Sequence, residues 1–150
     1  HVTGLTHDRM GYPTQVPDEV EESILRLHRK IDQYYPDIMM VDHVETKDAT
    51  VGVVAYGSVA RSAHLAVTQA RAQGVKAGLL HLKTLFPFPR RPVEWLTRQC
   101  ATVIVPEMNM GQMSREVKRV NNGQARVRTI NRVDGQIIAP HQILKSILKG

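Results

Sequence analysis

The sequence predicts an α/β fold: a doubly wound, mainly parallel sheet of about five strands with helices packed on it. Two patterns and a size carry that reading. Runs such as Val51–Tyr56 and Ala101–Val105 are apolar without alternation, the mark of strands buried on both faces. Turns then lead into segments with apolar residues at helical spacing, which is the βαβ crossover pattern. The length, 150 residues, suits one ordinary domain and leaves no room for a second full one.

The chain opens in a polar stretch rich in turn residues, through Gly4, His7, Asp8, Gly11 and Pro13. Such a segment has too little apolar surface to order itself, so residues 1–17 read as a linker and 18–150 as the domain. There is no initiator methionine and no charged-then-apolar leader, so no signal peptide is expected. A chain that begins in a linker is expected to be a piece of something longer.

Asp18 is the expected N-cap of a helix over 18–35, with Glu21 and Glu22 in its first turn and Ile24, Leu27 and Ile31 on its apolar face. Pro36 is expected to end it, and Ile38 to Val44 reads as a strand. Val51 to Tyr56 is a strand, Gly57-Ser58 a tight turn, and Val59 to Gln73 a helix closed by Gly74. Val75 to Leu82 is the next strand. Pro87-Phe88-Pro89 is a rigid connection to a short helix over Pro92 to Gln99. Ala101 to Val105 is a strand, and a helix follows from near Gly111 through Val120. Asn121-Asn122-Gly123 supplies a left-handed stop. Ala125 to Ile130 is the last strand, and Pro140 to Leu148 the last helix, capped by Gly150.

Hydrophobic residues make up 42% and charged residues 23%, which excludes a wholly disordered chain. No apolar run approaches the roughly 20 residues that span a bilayer, so no membrane segment is expected. The excess of 20 Lys and Arg over 14 Asp and Glu, net +6, is scattered along the sequence and reads as a solvated basic surface. The single cysteine, Cys100, cannot form an internal disulfide and sits in an apolar context. It reads as buried packing in a protein of the reducing cytoplasm.

In a doubly wound sheet, ligands and partners meet the carboxyl ends of the strands, so the residues there are the candidates. Gly57-Ser58 opens a helix but lacks the glycine-rich patterns of nucleotide loops, and Ser58 reads as an N-cap serine. Ser58 is not a hydrolase nucleophile either, because GxSxG is absent. Glu107 and Asn109 stand directly after a buried strand, where packing alone does not call for polar groups. The competing explanation is that they cap the helix beginning near Gly111. The histidines show no metal-binding spacing, so no metal site is expected. The strand-end cluster is therefore Tyr56, Ser58, Glu107, Asn109, Gly111 and Gln112, with no catalytic and no cofactor-binding residue assigned.

Several blocks in order carry a resemblance: Val2-Thr3-Gly4-Leu5-Thr6-His7-Asp8 with Gly11, then Val54-Ala55-Tyr56-Gly57-Ser58-Val59-Ala60-Arg61-Ser62-Ala63. Leu85-Phe86-Pro87-Phe88-Pro89, Val105-Pro106-Glu107-Met108-Asn109-Met110-Gly111-Gln112 and Asn131-Arg132-Val133-Asp134-Gly135 follow. The chain resembles the C-terminal, transketolase C-terminal-like part of the alpha subunit of 2-oxoacid:ferredoxin oxidoreductases, most like those acting on 2-oxoglutarate. The resemblance implies a three-layer α/β/α sandwich whose first strand, residues 38–45, runs antiparallel to the others. It also implies an enzyme complex that oxidatively decarboxylates a 2-oxoacid to an acyl-CoA and passes electrons to ferredoxin. Thiamine diphosphate, Mg²⁺ and iron–sulfur clusters belong to that complex, and none of them to this stretch. The partners so implied are a thiamine-binding N-terminal domain of the same subunit, a beta subunit and, through the complex, ferredoxin. With one cysteine, this chain could not ligate a cluster by four thiolates. A transketolase or 2-oxoacid dehydrogenase beta-type fragment would share the fold, and the linker and 106–112 blocks separate them. An anion- or nucleic-acid-binding module would need clustered Lys and Arg or exposed aromatics, which the sequence order does not display.

Overall fold

The computed structural model describes residues 4–150, which divide into two compact units, one ending at Ile38 and one running from Met39 to Gly150. In the first unit, the stretch expected to be an unordered linker closes as a hairpin. Asp8 drives this: its Oδ1 accepts from the backbone N–H of Met10 and Tyr12, each at 2.9 Å. The Asp8 N–H donates to the Tyr12 carbonyl at 2.8 Å and that of Thr14 to the Thr6 carbonyl at 2.9 Å. Gly11, at φ +88°, makes the turn. The first three residues of the expected linker lie outside the described residues.

Helix α1 (Pro17–Gln33) begins one residue earlier than its sequence signals suggest. Val16 occupies the N-cap without a side-chain bond, and Pro17, not Asp18, opens the first turn. Pro36 does not end the helical stretch either. It sits in the first turn of a short helix α2 (Tyr35–Ile38), where its missing N–H costs nothing. The first strand therefore starts later, at Val41.

The second unit holds a five-stranded sheet of β1 (Val41–Val44), β2 (Val51–Tyr56), β3 (Ala77–Leu82), β4 (Thr102–Glu107) and β5 (Arg126–Asn131), in the order β1-β3-β2-β4-β5. The β2–β3, β2–β4 and β4–β5 pairs are parallel. β1 lies antiparallel to β3, with Val41 opposite Leu82 and Val44 opposite Leu79, as the resemblance implies. Helices α3 (Val59–Ala72), α4 (Arg90–Gln99), α5 (Gln112–Asn121) and α6 (Pro140–Ile147) complete two outer layers. One layer, α3 with α6, packs on Val51, Val53, Ala55, Leu79 and Ile104. The other, α4 with α5, packs on Val54, Leu80, Leu82, Val103 and Val105. Alternate residues of the inner strands β2, β3 and β4 thus feed opposite cores, whereas the edge strands β1 and β5 also carry polar side chains.

Boundaries shift by one or two residues at several places. α4 starts at Arg90 rather than Pro92, and β3 at Ala77 rather than Val75. α6 ends at Ile147 with Leu148 as its C-cap, so Gly150 lies beyond the cap. β4 continues through Pro106 to Glu107, because pairing with β5 persists to Glu107 opposite Asn131. Its pairing with β2 stops earlier, at Val53 opposite Ile104. Pro106 has no N–H to donate, and the central pair parts where β3 and β5 still hold their partners. That parting is the point where the strand order reverses.

Candidate functional site

The sheet opens between the carboxyl ends of β2 and β4, the switch point at which doubly wound folds place their functional crevice. Tyr56 ends β2 and Glu107 ends β4, and the two side chains meet across the gap. The Tyr56 hydroxyl donates to Glu107 Oε2 at 3.1 Å, and Asn109 Nδ2 donates to the same hydroxyl at 2.5 Å. Glu107 is fully buried. Its Oε2 also accepts from the Met113 N–H at 3.0 Å, and its Oε1 from the Ser114 N–H at 2.9 Å. A buried carboxylate therefore sits on the first turn of α5 and takes two of the N–H groups that no helical carbonyl reaches. Burial raises the Tyr56 pKa, and the neighbouring Glu107 charge adds to the effect, so the phenol stays protonated and remains a donor.

Asn109 works beside it. Its Oδ1 accepts from the N–H of Gly111 at 2.8 Å and of Gln112 at 3.2 Å, while its own carbonyl accepts from Asn131 Nδ2 at 3.0 Å. Gly111 occupies the N-cap at φ +93°, a left-handed conformation, and a Cβ there would lie 2.9 Å from Ser114 Oγ. Both the backbone angle and the crowding call for glycine. The capping explanation and the polar strand-end cluster are thus one object: Glu107 and Asn109 cap α5 by way of Gly111.

The structure joins four of the six sequence candidates, Tyr56, Glu107, Asn109 and Gly111. Gln112 joins only through its backbone, and its side chain is exposed. Ser58 stands apart. It holds the N-cap position of α3 but makes no side-chain cap bond, and its Oγ lies 4.0 Å from Met108 Sδ. With Ser58 itself in helical conformation, its hydroxyl does not meet the N–H groups of the next turn, so capping does not account for it. Asn131 and Ser114 are the residues that sequence reasoning missed. The only signal for Asn131 is its place at the end of β5, the same strand-end logic that marked Glu107.

Glu107 is fully buried and three donors engage its two oxygens, two on Oε2 and one on Oε1, so most of its acceptor capacity is spent inside the fold. Cys100 is buried, and burial pushes its thiol up to about 11, which leaves no thiolate for a cluster or a nucleophilic step at neutral pH. Among the described residues no three His, Cys, Asp or Glu side chains converge to hold a metal, and no helix is long and apolar enough to cross a membrane. What the arrangement does is tie the loop after β4 to α5 and β5 by hydrogen bonds through Asn109, with Met110 about 73% exposed.

Comparison with known proteins agrees with this architecture. The profile of the pyruvate:ferredoxin oxidoreductase core domain II matches residues 49–143. The 2-oxoglutarate synthase subunit KorA of Methanothermobacter thermautotrophicus is 41% identical over 99% of the chain. The ketoisovalerate oxidoreductase subunit VorB of Methanothermobacter marburgensis is 37% identical over 87%. The chain spans 40% of the former and 37% of the latter, well under half of either relative. Among solved structures, the 2-oxoglutarate:ferredoxin oxidoreductase from Magnetococcus marinus superposes with a TM-score of 0.76 at 27% identity, over 98% of this chain and 26% of that one. A split-gene transketolase shares the fold alone, with a TM-score of 0.63 at 19% identity over 73% of this chain and 40% of that one. Sheet order, the antiparallel first strand and a profile that runs from the start of β2 into α6 all agree: the chain belongs to the pyruvate:ferredoxin oxidoreductase core domain II family.

Proposed function

We propose that this chain is the non-catalytic assembly domain of the alpha subunit of a 2-oxoacid:ferredoxin oxidoreductase. In the whole complex a 2-oxoacid, 2-oxoglutarate on this reading, loses carbon dioxide. Its acyl carbon passes to the thiol of coenzyme A, and two electrons pass to ferredoxin. Thiamine diphosphate, Mg²⁺ and the iron–sulfur cluster belong to other parts, namely a thiamine-binding domain of the same subunit and the beta subunit. Among the described residues no group of His, Cys, Asp or Glu side chains converges to hold a metal, and on this reading no step runs through them. The setting is the cytoplasm, which suits a lone buried thiol.

One observation carries the reading. The switch-point crevice, where such folds put their chemistry, is occupied by a hydrogen-bonded cluster whose carboxylate is fully buried and engaged by three donors of this chain. The loops at the same edge instead turn large apolar side chains outward, Phe86 after β3 and Met110 after β4, 79% and 73% exposed. Loops with exposed apolar side chains suit an interface, where aromatic and methionine side chains are enriched.

The test is the double substitution Asn109→Ala with Gln112→Ala in the full complex, read by gel filtration and by 2-oxoacid-dependent reduction of ferredoxin. Loss of assembly with an unchanged circular dichroism spectrum of this domain supports the role. Wild-type assembly together with wild-type turnover overturns it. Titrating the isolated chain calorimetrically with thiamine diphosphate and Mg²⁺ is expected to give no binding, and micromolar binding would return the cofactor to this domain. Turnover of 2-oxoglutarate against 2-oxoisovalerate decides the substrate.

A further inference from the structure

The basic excess that looks scattered along the sequence is concentrated at one end of it. Residues 1–107 hold twelve basic and twelve acidic side chains, whereas residues 108–150 hold eight basic and two acidic, so the whole net charge of +6 falls in the last part of the chain. Both of those carboxylates are taken locally, Glu116 by Arg119 and Asp134 by Arg132. No acidic residue follows Asp134.

The fold then brings four of these cations to the edge of the sheet. Arg126 and Arg128 are two apart on the edge strand β5 and so share its face. Arg128 reaches over to α6, where it donates to the carbonyls of Ser146 at 3.4 Å and Lys149 at 3.5 Å. Lys145 and Lys149 are one helical turn apart on the same segment. Between strand and helix runs an open groove of about 470 Å³, lined by Arg128, Lys145 and Lys149 with Thr129, Ile130 and Ser146. No carboxylate lines it.

We propose that this groove and its rim form a docking face for a carboxylate-rich protein surface, separate from the strand-end cluster. Charge complementarity is the first argument: Arg126, Lys145 and Lys149 make no ion pair among the described residues, and a face of one sign attracts and orients an acidic partner. The surroundings favour protein over nucleic acid. No Phe, Trp or Tyr lines the groove to stack a base. Four cations also fall short of the six to ten phosphate contacts typical of proteins that hold a duplex tightly. Ile130 in the lining and the half-exposed Leu148, next to Lys149 in the chain, give the apolar contact that protein interfaces add to charge.

The experiment uses the full 150-residue chain and a fluorescein-labelled octaglutamate peptide, followed by fluorescence anisotropy at low and physiological salt. Binding is expected to be measurable at low salt and to weaken as salt rises. Lys145→Glu with Lys149→Glu is expected to weaken it at least about tenfold. Lys118→Glu with Arg119→Glu, on helix α5 across the sheet, leaves it unchanged. Lys145→Gln with Lys149→Gln serves if the reversal disturbs folding, as judged by circular dichroism, and still weakens binding. Undetectable peptide binding by the wild type, equal binding by wild type and the α6 variants, or tighter binding of a labelled DNA duplex than of the peptide would each overturn the proposal.

Discussion

Glu107 is worth more to this protein as an acceptor than as an acid. Three donors converge on it, one phenol and two backbone N–H groups, and none of them has another acceptor in the cluster. Glu107→Ala leaves all three buried and unmatched and is expected to cost about 3–5 kcal/mol, read as a shift of the urea midpoint. Glu107→Gln retains one acceptor oxygen, and its loss is expected near 2 kcal/mol. An equal effect of the two substitutions would mean that charge rather than hydrogen bonding holds the site. Cys100 gives a second expectation at this scale. With its pKa pushed up to about 11, only on the order of one thousandth of the thiol is ionised at pH 8, so native protein is expected to resist iodoacetamide until urea is added. Because the folded thiol binds its proton more tightly than the unfolded one, stability is expected to fall as pH rises from about 9 towards 11. Much of this site was legible: a glutamate and an asparagine after an apolar strand, with a glycine at the turn, announce a polar strand end. Asn131 was not, since it lies 22 residues from Asn109 and only the β4–β5 pairing brings the two together. Ser58 takes the N-cap position that a serine before a helix suggests, but its own helical backbone angles deny it the side-chain bond.

At the scale of elements, two strand glycines do different work. A Cβ on Gly52 would meet the flexible end of Leu96, Cδ2 at 2.9 Å, and Cys100 Sγ at 3.2 Å. A Cβ on Gly78 would meet backbone, the Glu45 carbonyl at 2.7 Å and Thr46 Cα at 2.8 Å. Side chains yield and backbone does not, so Gly78→Ala is expected to destabilise by about 3 kcal/mol and Gly52→Ala by about 1 kcal/mol, with thermal melts deciding the order. The segment between β1 and β2 has little freedom to give way, because Arg71 on α3 donates to the Glu45 and Ala77 carbonyls at 2.7 Å each and pairs with Asp48. The element types were readable because β-branched runs and helical spacing are local properties. Their ends were less so. Pro106 reads as a strand breaker, yet pairing with a fifth strand, which no local pattern reveals, carries β4 past it. Pro36 likewise reads as a stop and instead starts a turn.

At the scale of the molecule, every buried hydrophobic side chain among the described residues belongs to the second unit, from Ala49 onward. A fragment of residues 39–150 is therefore expected to fold cooperatively, with a melting temperature within a few degrees of the full chain. Broad, non-cooperative melting of that fragment would show that the first unit contributes to the core. The first strand has a further consequence. Because β1 runs against the others, Met40, the residue just before it, lies beside the carboxyl end of β3, where its carbonyl accepts from the N–H of Lys83 and Thr84. A parallel first strand would have brought the backbone in at the far edge, about 13 Å away for four residues. One reversed strand thus acts as a mooring. The backbone enters the second unit at the same sheet edge that carries Tyr56, Glu107 and Phe86.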